Sequence, residues 1–461
     1  MKKIIMIVLL LLLLYAAFAQ KVKGEATILS GPMAAYTECR ETAIWLQTTE
    51  PAEVKIQYWK KGKPDSSVFT PVQYTKAEDF NVTTFVISLL EPGTTYEYHV
   101  WVNKKVIKFS EPLYFKTQEL WWYRKDPPDF TVAFGSCVYI NEPKYDRYGK
   151  GYGLPSDKIF NSIADKKPDL MLWIGDNVYT RQADFYSRAG LLYRYTHTRS
   201  HPDLQRLLRT GHHYAIWDDH DYGPNDADIS NPMKEIALEV FKLFFPRQKY
   251  GLPEAPGVFY RFSYSDIDFF MLDDRYYRSP SNMKDGPHKT QLGEVQLEWL
   301  KNSLLSSNAP FKIICVGGQF LNEKTNKESF NLYRYEREKI INFIKENNIE
   351  GVVFLTGDRH HAELLRKEIG GFYPLYDFTS SPLTSSIHVV KENSNEYKND
   401  QRIPNTLVQE QNFGMLRFTG AGENRTMKME CYNAEGKLLW EYTIKATDLK
   451  VKKDQEHSGQ D

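Results

Sequence analysis

Six times between Phe130 and His361, an apolar run of four to six residues ends in glycine or in a cluster of carboxylates. Phe130–Phe134 runs into Gly135-Ser136-Cys137, Leu170–Ile174 into Gly175-Asp176, and His213–Trp217 into Asp218-Asp219-His220-Asp221. Phe269–Leu272 runs into Asp273-Asp274-Arg275, Lys312–Val316 into Gly317-Gly318-Gln319, and Gly351–Thr356 into Gly357-Asp358-Arg359-His360-His361. Helical patterns such as 294–305 and 335–347 lie between the runs. Buried strands alternating with helices predict an α/β region. Ligands of open α/β sheets bind outside the C-terminal strand ends. The pattern therefore brings Cys, Asp, His and Arg to one rim.

The segment before this region reads differently. Over about 20–120 the chain shows short β patterns, with Pro51, Gly62, Pro64, Pro92 and Gly93 between them. Val54–Trp59 and Tyr96–Val102 alternate with period two, which predicts strands with one buried face. Leu90-Glu91-Pro92-Gly93-Thr94-Thr95-Tyr96 has the form of a tyrosine corner, so an all-β, fibronectin type III-like sandwich is expected. A Pro-containing linker, 121–129, leads to the second domain, expected over 128–447. Residues 448–461 read as a polar tail.

Residues 1–19 form a separate unit. Lys2 and Lys3 precede the apolar run Ile4–Leu14, and Ala17-Phe18-Ala19 is a small-x-small site. That is the grammar of a secretory signal peptide cleaved between Ala19 and Gln20. Its removal leaves 57 basic residues against 59 acidic ones. No charge excess exists to neutralise a nucleic-acid backbone, and no later stretch is long and apolar enough to anchor the chain in a bilayer. The expectation is an exported, monomeric protein. Cys39, Cys137, Cys315 and Cys431 are widely spaced, so Cys39–Cys431 and Cys315–Cys431 bridges both remain open.

The strand ends carry metal-binding chemistry. Asp176 offers two oxygens that can bridge two cations, and Tyr179, three residues on, can add a phenolate. Asp218, Asp219 and Asp221 crowd His220; such self-repulsion in a buried loop calls for a cation. Carboxylates suit hard ions, and a neighbouring His can serve as a general acid. Asp358 and His360, two apart, point the same way if the chain is extended. A Cys137 thiolate suits a redox metal better than Ca²⁺.

Taken in order, these five motifs, with Asp273–Arg278 and Gly357–Glu363 at full length, resemble PhoD-type alkaline phosphatases of the calcineurin-like metallophosphoesterases. The resemblance runs over about 25–445. It implies a two-layer β core flanked by helices and a bimetal site hydrolysing phosphate esters. It also implies Fe(III) held by Cys137, Asp176, Tyr179 and His360, and Ca(II) held by Asp219 and Asp358 with Asp176 shared. His220, in the place of the superfamily's catalytic His, would protonate the leaving group, oriented by Asp221. Arg275 would clamp phosphate, with Arg278 or Arg359 sharing that role. Gln319 would contact the second ion or the substrate. Two alternatives stay open: a phosphodiesterase or phospholipase on the same scaffold, its rim formed by Tyr186, Tyr193 and Tyr195, and a binding protein with a vestigial site.

Overall fold

The computed structural model describes residues 25–146, 152–154 and 158–451. The leader expected over 1–19 and all but the start of the polar tail lie outside them.

The N-terminal strands build two facing sheets. β1 (Ile28–Thr37), β2 (Thr42–Thr48) and β6 (Val82–Ile87) form one. β3 (Glu53–Lys60) and β7 (Thr95–Val102) centre the other, edged by β4 (Val68–Phe69), β5 (Gln73–Tyr74), β8 (Lys105–Val106) and β9 (Leu113–Lys116). Ile44, Leu46, Val54, Ile56, Val100 and Val102 fill the space between. The tyrosine corner forms: the Glu91 amide donates to the Tyr96 hydroxyl at 2.9 Å. No residue of β2 is exposed, because its second face packs outward onto the next domain. Met33, Trp45 and Val82 join the larger core, and Trp45 Nε1 donates to the Leu243 carbonyl at 3.0 Å. The Arg199 guanidinium lies buried among Trp45, Trp173 and Phe245 at this junction. The weld is thus apolar and cation–π in character.

Residues 130–445 form two six-stranded sheets. The first runs β12 (His212–Ile216), β11 (Leu170–Ile174), β10 (Phe130–Gly135), β19 (Asn412–Thr419), β20 (Thr426–Asn433), β21 (Leu438–Lys445). The second runs β13 (Tyr260–Tyr264), β14 (Ile267–Met271), β15 (Lys312–Cys315), β16 (Val352–Thr356), β18 (Leu375–Thr379), β17 (Glu363–Lys367). β10, β11 and β12 are mutually parallel, as are β14, β15, β16 and β18. The six runs read from the sequence therefore split three and three between the sheets.

The inner faces interdigitate through Phe134 against Phe378, Tyr214 against Phe262 and Phe378 against Trp440. Gly414 is required by this packing, since a Cβ there would overlap the Phe134 ring. Helices flank the sheets. Glu294–Leu305 buries Leu297, Leu300 and Leu304, and Arg334–Glu346 buries Ile340, Ile341 and Ile344, the spacing of one helical face. All four cysteines are free, so neither bridge forms. No helix among the described residues is long and apolar enough to cross a membrane.

Candidate metal centre

The parallel strands of both sheets end at one rim, and the chain leaves them in strained turns. Cys137 (φ 65°), Asp176 (φ 51°), Asp358 (φ 60°) and His360 (φ 56°) all adopt the left-handed conformation, which costs a non-glycine residue of order 1 kcal/mol or more. Gly175, at φ +100°, permits the first bend: a Cβ there would lie 2.7 Å from the Asp218 side chain. The extended chain expected between Asp358 and His360 is not what forms. The left-handed turn sends the two side chains to different clusters.

The first cluster contains Cys137, Asp176 and His360, with donor atoms within 4.8 Å of one another. The Cys137 thiol donates to Asp176 Oδ2 at 3.6 Å and accepts from the Ser381 hydroxyl at 3.2 Å. The Tyr179 hydroxyl lies 3.0 Å from His360 Nε2, and Tyr152 holds Nδ1 of the same ring at 3.3 Å. Asp176 also belongs to a second cluster with Asp219 and His220, and Asp218, Asp219 and Asp358 form a third. A fourth joins Asp219, Asp226 and Glu328. The His220 amide donates to Asp176 Oδ1 at 3.2 Å, and its ring packs against Tyr179, centroids 4.1 Å apart and tilted by 31°.

The electrostatics are those of a cation site. Burial, and then mutual repulsion, push the Asp176 and Asp358 carboxyls well above the usual range. Burial likewise raises Asp218, against the pull of Arg275. Burial lifts the Cys137 thiol to about 12 and drops His360 to about 3. Asp358 Oδ2, Asp218 Oδ2 and Asp274 Oδ1 are buried without a hydrogen-bond partner. Orphaned carboxylate oxygens at this depth are costly unless a cation takes them up. The donor set fits two kinds of ion: thiol, phenol and imidazole face one side, and chiefly carboxylates, with His220 among them, the other.

Several residues read as functional from the sequence are engaged elsewhere. Asp221 accepts from the Asn177 amide and side chain, the Asp218 amide and the Tyr195 hydroxyl. It caps the turn, and none of its hydrogen bonds reaches the His220 ring. Gln319 donates to Glu363 and Thr379 and accepts from Asn322, so both ends of its amide are used. Arg359 is turned into an ion pair with Glu396. Arg275 is fully buried, paired with Asp218 and, at 2.9 Å, with Glu328; it balances the acidic cluster, with Nη1 alone unengaged. Arg278 is likewise buried, 3.6 Å from Glu328. Tyr195 is a core residue.

Glu328 and Tyr152 were not legible as site residues. Glu328 comes from the polar loop after β15, where no motif marks it. Tyr152 comes from a Gly- and Tyr-rich stretch with no periodicity.

The comparisons with known proteins fit this arrangement. The model of a family described as PhoD-like phosphatase matches residues 146–429, and that of a domain of unknown function (DUF7800) matches 25–118. Alkaline phosphatase D of Bacillus subtilis (strain 168) is 28% identical over 319 residues, 59% of this chain. The match takes in 52% of that protein, so the chain spans about half the length of this relative. A solved structure of PhoD superposes with a TM-score of 0.73 at 18% identity, over 91% of this chain and 90% of that one. Purple acid phosphatase PPD1 from yellow lupin seeds gives 0.65 at 13%, over 92% and 75%. At those identities the likeness is one of fold. The family match covers more than half of the chain, including Asp176, Asp219, Asp358, His360 and the whole of the second sheet, and on that ground the protein belongs to the PhoD-like phosphatase family.

Proposed function

We propose that this protein hydrolyses phosphate esters at a two-cation centre. One observation carries the reading: Asp176 belongs to two donor clusters of different chemical character. Cys137, Tyr179 and His360, with Asp176, are the residues to hold Fe(III). Asp219 and Asp358, joined by Asp218, are those to hold Ca(II). When bound, such a pair supplies Lewis-acid polarisation of the ester and acidifies a water.

The chain's own residues do the remainder. His220 is only partly buried, and its Nδ1 has no partner in the fold. Burial lowers its pKa, and the negative charge of an incoming phosphate raises it again. The ring then holds a proton for the leaving oxygen, or donates a hydrogen bond to it. Tyr179 supports the ring from below. Arg275, paired with Asp218 and Glu328, keeps the acidic cluster together. The leader read over 1–19 supports export, and the substrate class is a phosphate ester.

Hydrolysis of p-nitrophenyl phosphate and bis-p-nitrophenyl phosphate, before and after chelation and with Fe and Ca²⁺ add-back, tests the reading. Chelator-sensitive monoester turnover, abolished in Asp176→Asn with the fold retained, is the expected result. Preference for the diester moves the assignment to a phosphodiesterase. Normal turnover by Asp176→Asn refutes the two-cation centre.

A further inference from the structure

β18 runs directly into a hydroxyl-rich turn, Ser380-Ser381-Pro382-Leu383-Thr384-Ser385. The turn carries no carboxylate, thiol or imidazole, yet the first donor cluster is built against it. The Leu383 amide donates to the Ser136 carbonyl at 2.8 Å, and the Thr384 and Ser385 amides both donate to the Cys137 carbonyl at 3.1 Å. Ser381 is fully buried, and its hydroxyl is engaged twice. It accepts from the His360 amide at 2.8 Å and donates to Cys137 Sγ at 3.2 Å. One side chain thus ties together two cluster members that lie 21 and 244 residues from it along the chain.

The sense of the second bond is fixed. A hydroxyl has one proton. The His360 amide can only donate, so the Ser381 proton goes to the sulfur. Ser136 Oγ lies on another side of the same sulfur, at 3.4 Å. A neutral thiol sulfur is a weak acceptor, whereas a bond to an ionised acceptor is about twice as strong. The Ser381 bond therefore gains its strength once Cys137 is a thiolate. Ser380 makes the contrast: it is equally buried, but its hydroxyl turns away to Asn412 Oδ1 at 3.0 Å.

We infer that Ser381 is a positioning residue of the iron side of the centre, fixing the His360 turn and setting the electron density on the Cys137 sulfur. This rests on the assignment of Cys137 and His360 to Fe(III) made above. A hydrogen bond to a ligating sulfur draws density from it, and such bonds tune a metal's affinity and reduction potential. Without the bond the sulfur gives up electrons more readily, and ligand-to-metal charge transfer falls in energy.

The test uses protein loaded with Fe(III), its visible absorption, and competition with a chelator for the iron. The thiolate component of the absorption is the part that Cys137→Ser removes. In Ser381→Ala that component should move to longer wavelength, and iron should be held about tenfold more weakly. Ser380→Ala, which deletes an equally buried hydroxyl from the same turn, should keep the wild-type band whatever its melting temperature. Wild type refolded and loaded in D₂O gives a second readout that needs no variant: the iron–sulfur stretch in resonance Raman spectra should shift, since a deuteron then bonds the sulfur. An unmoved band in Ser381→Ala, an equal shift in Ser380→Ala, or an unshifted stretch in D₂O overturns the inference and leaves the two-cation centre standing. A wild-type spectrum with no Cys137-dependent component instead removes Cys137 from the iron, and the inference falls with that assignment.

Discussion

Arg275→Gln separates two roles for one arginine. As a phosphate clamp, Arg275 would be needed for turnover and not for folding. The structure instead puts its guanidinium, with no exposed surface, against Asp218 and Glu328, with Asp219 and Asp274 at 3.9 Å. Glutamine would leave three buried carboxylates, and the half-buried Glu328, without that cation. Removing one partner of a buried pair costs about 3–5 kcal/mol, because the other charge stays buried and uncompensated. The metal-free variant should therefore unfold at lower urea, its unfolding free energy reduced by that amount. The deficit should shrink on adding Ca²⁺, which substitutes for the lost positive charge, and also at acid pH as the carboxyls protonate. Arg275→Lys, which keeps the charge but not the fork, should fall between. Chelated protein is unfolded in urea with circular dichroism as the signal. If Arg275→Gln keeps the wild-type midpoint yet loses turnover, the counter-ion reasoning is wrong and the clamp role stands.

Three other outcomes follow from particular contacts. Burial pushes the Glu363 carboxyl up, but His361, Arg402 and Gln319 outweigh it and bring it from 4.5 to about 2. Its stabilisation, roughly 3 kcal/mol, is complete above the unfolded value and fades as pH falls toward the folded one. Wild type should thus lead Glu363→Gln at about pH 7 and lose that lead toward about pH 2–3; a constant gap counts against the assignment. Trp45→Ala removes a fully buried ring from the seam between the N-terminal sheets and the two six-stranded sheets; a loss of about 3–5 kcal/mol is expected. Both parts should still melt together, and separate transitions seen by domain-specific probes would show that the seam is not cooperative. Denatured, unreduced protein should titrate with four thiols, and fewer would reveal a bridge.

The sequence by itself determined the strand ends and the chemistry they carry. An apolar run must be buried, and a glycine or carboxylate stops it at a surface, so Cys137, Asp176, Asp219, Asp358 and His360 were legible as rim residues from local pattern alone. The tyrosine corner was legible too, because its bond closes over five residues. Partner choice was not. Whether an arginine meets phosphate or a carboxylate depends on elements 37–57 residues away, as with Arg359 on Glu396 and Arg275 on Asp218. Asp221 reads from the sequence as orienting His220, and the bonds from Asn177 and Tyr195 that hold it at the turn come from elements 26 to 44 residues away. Division of the runs between two sheets, and the delivery of Glu328 from an unmarked loop, were likewise tertiary outcomes. Periodicity records which side chains are buried; only the packed fold records what they are buried against.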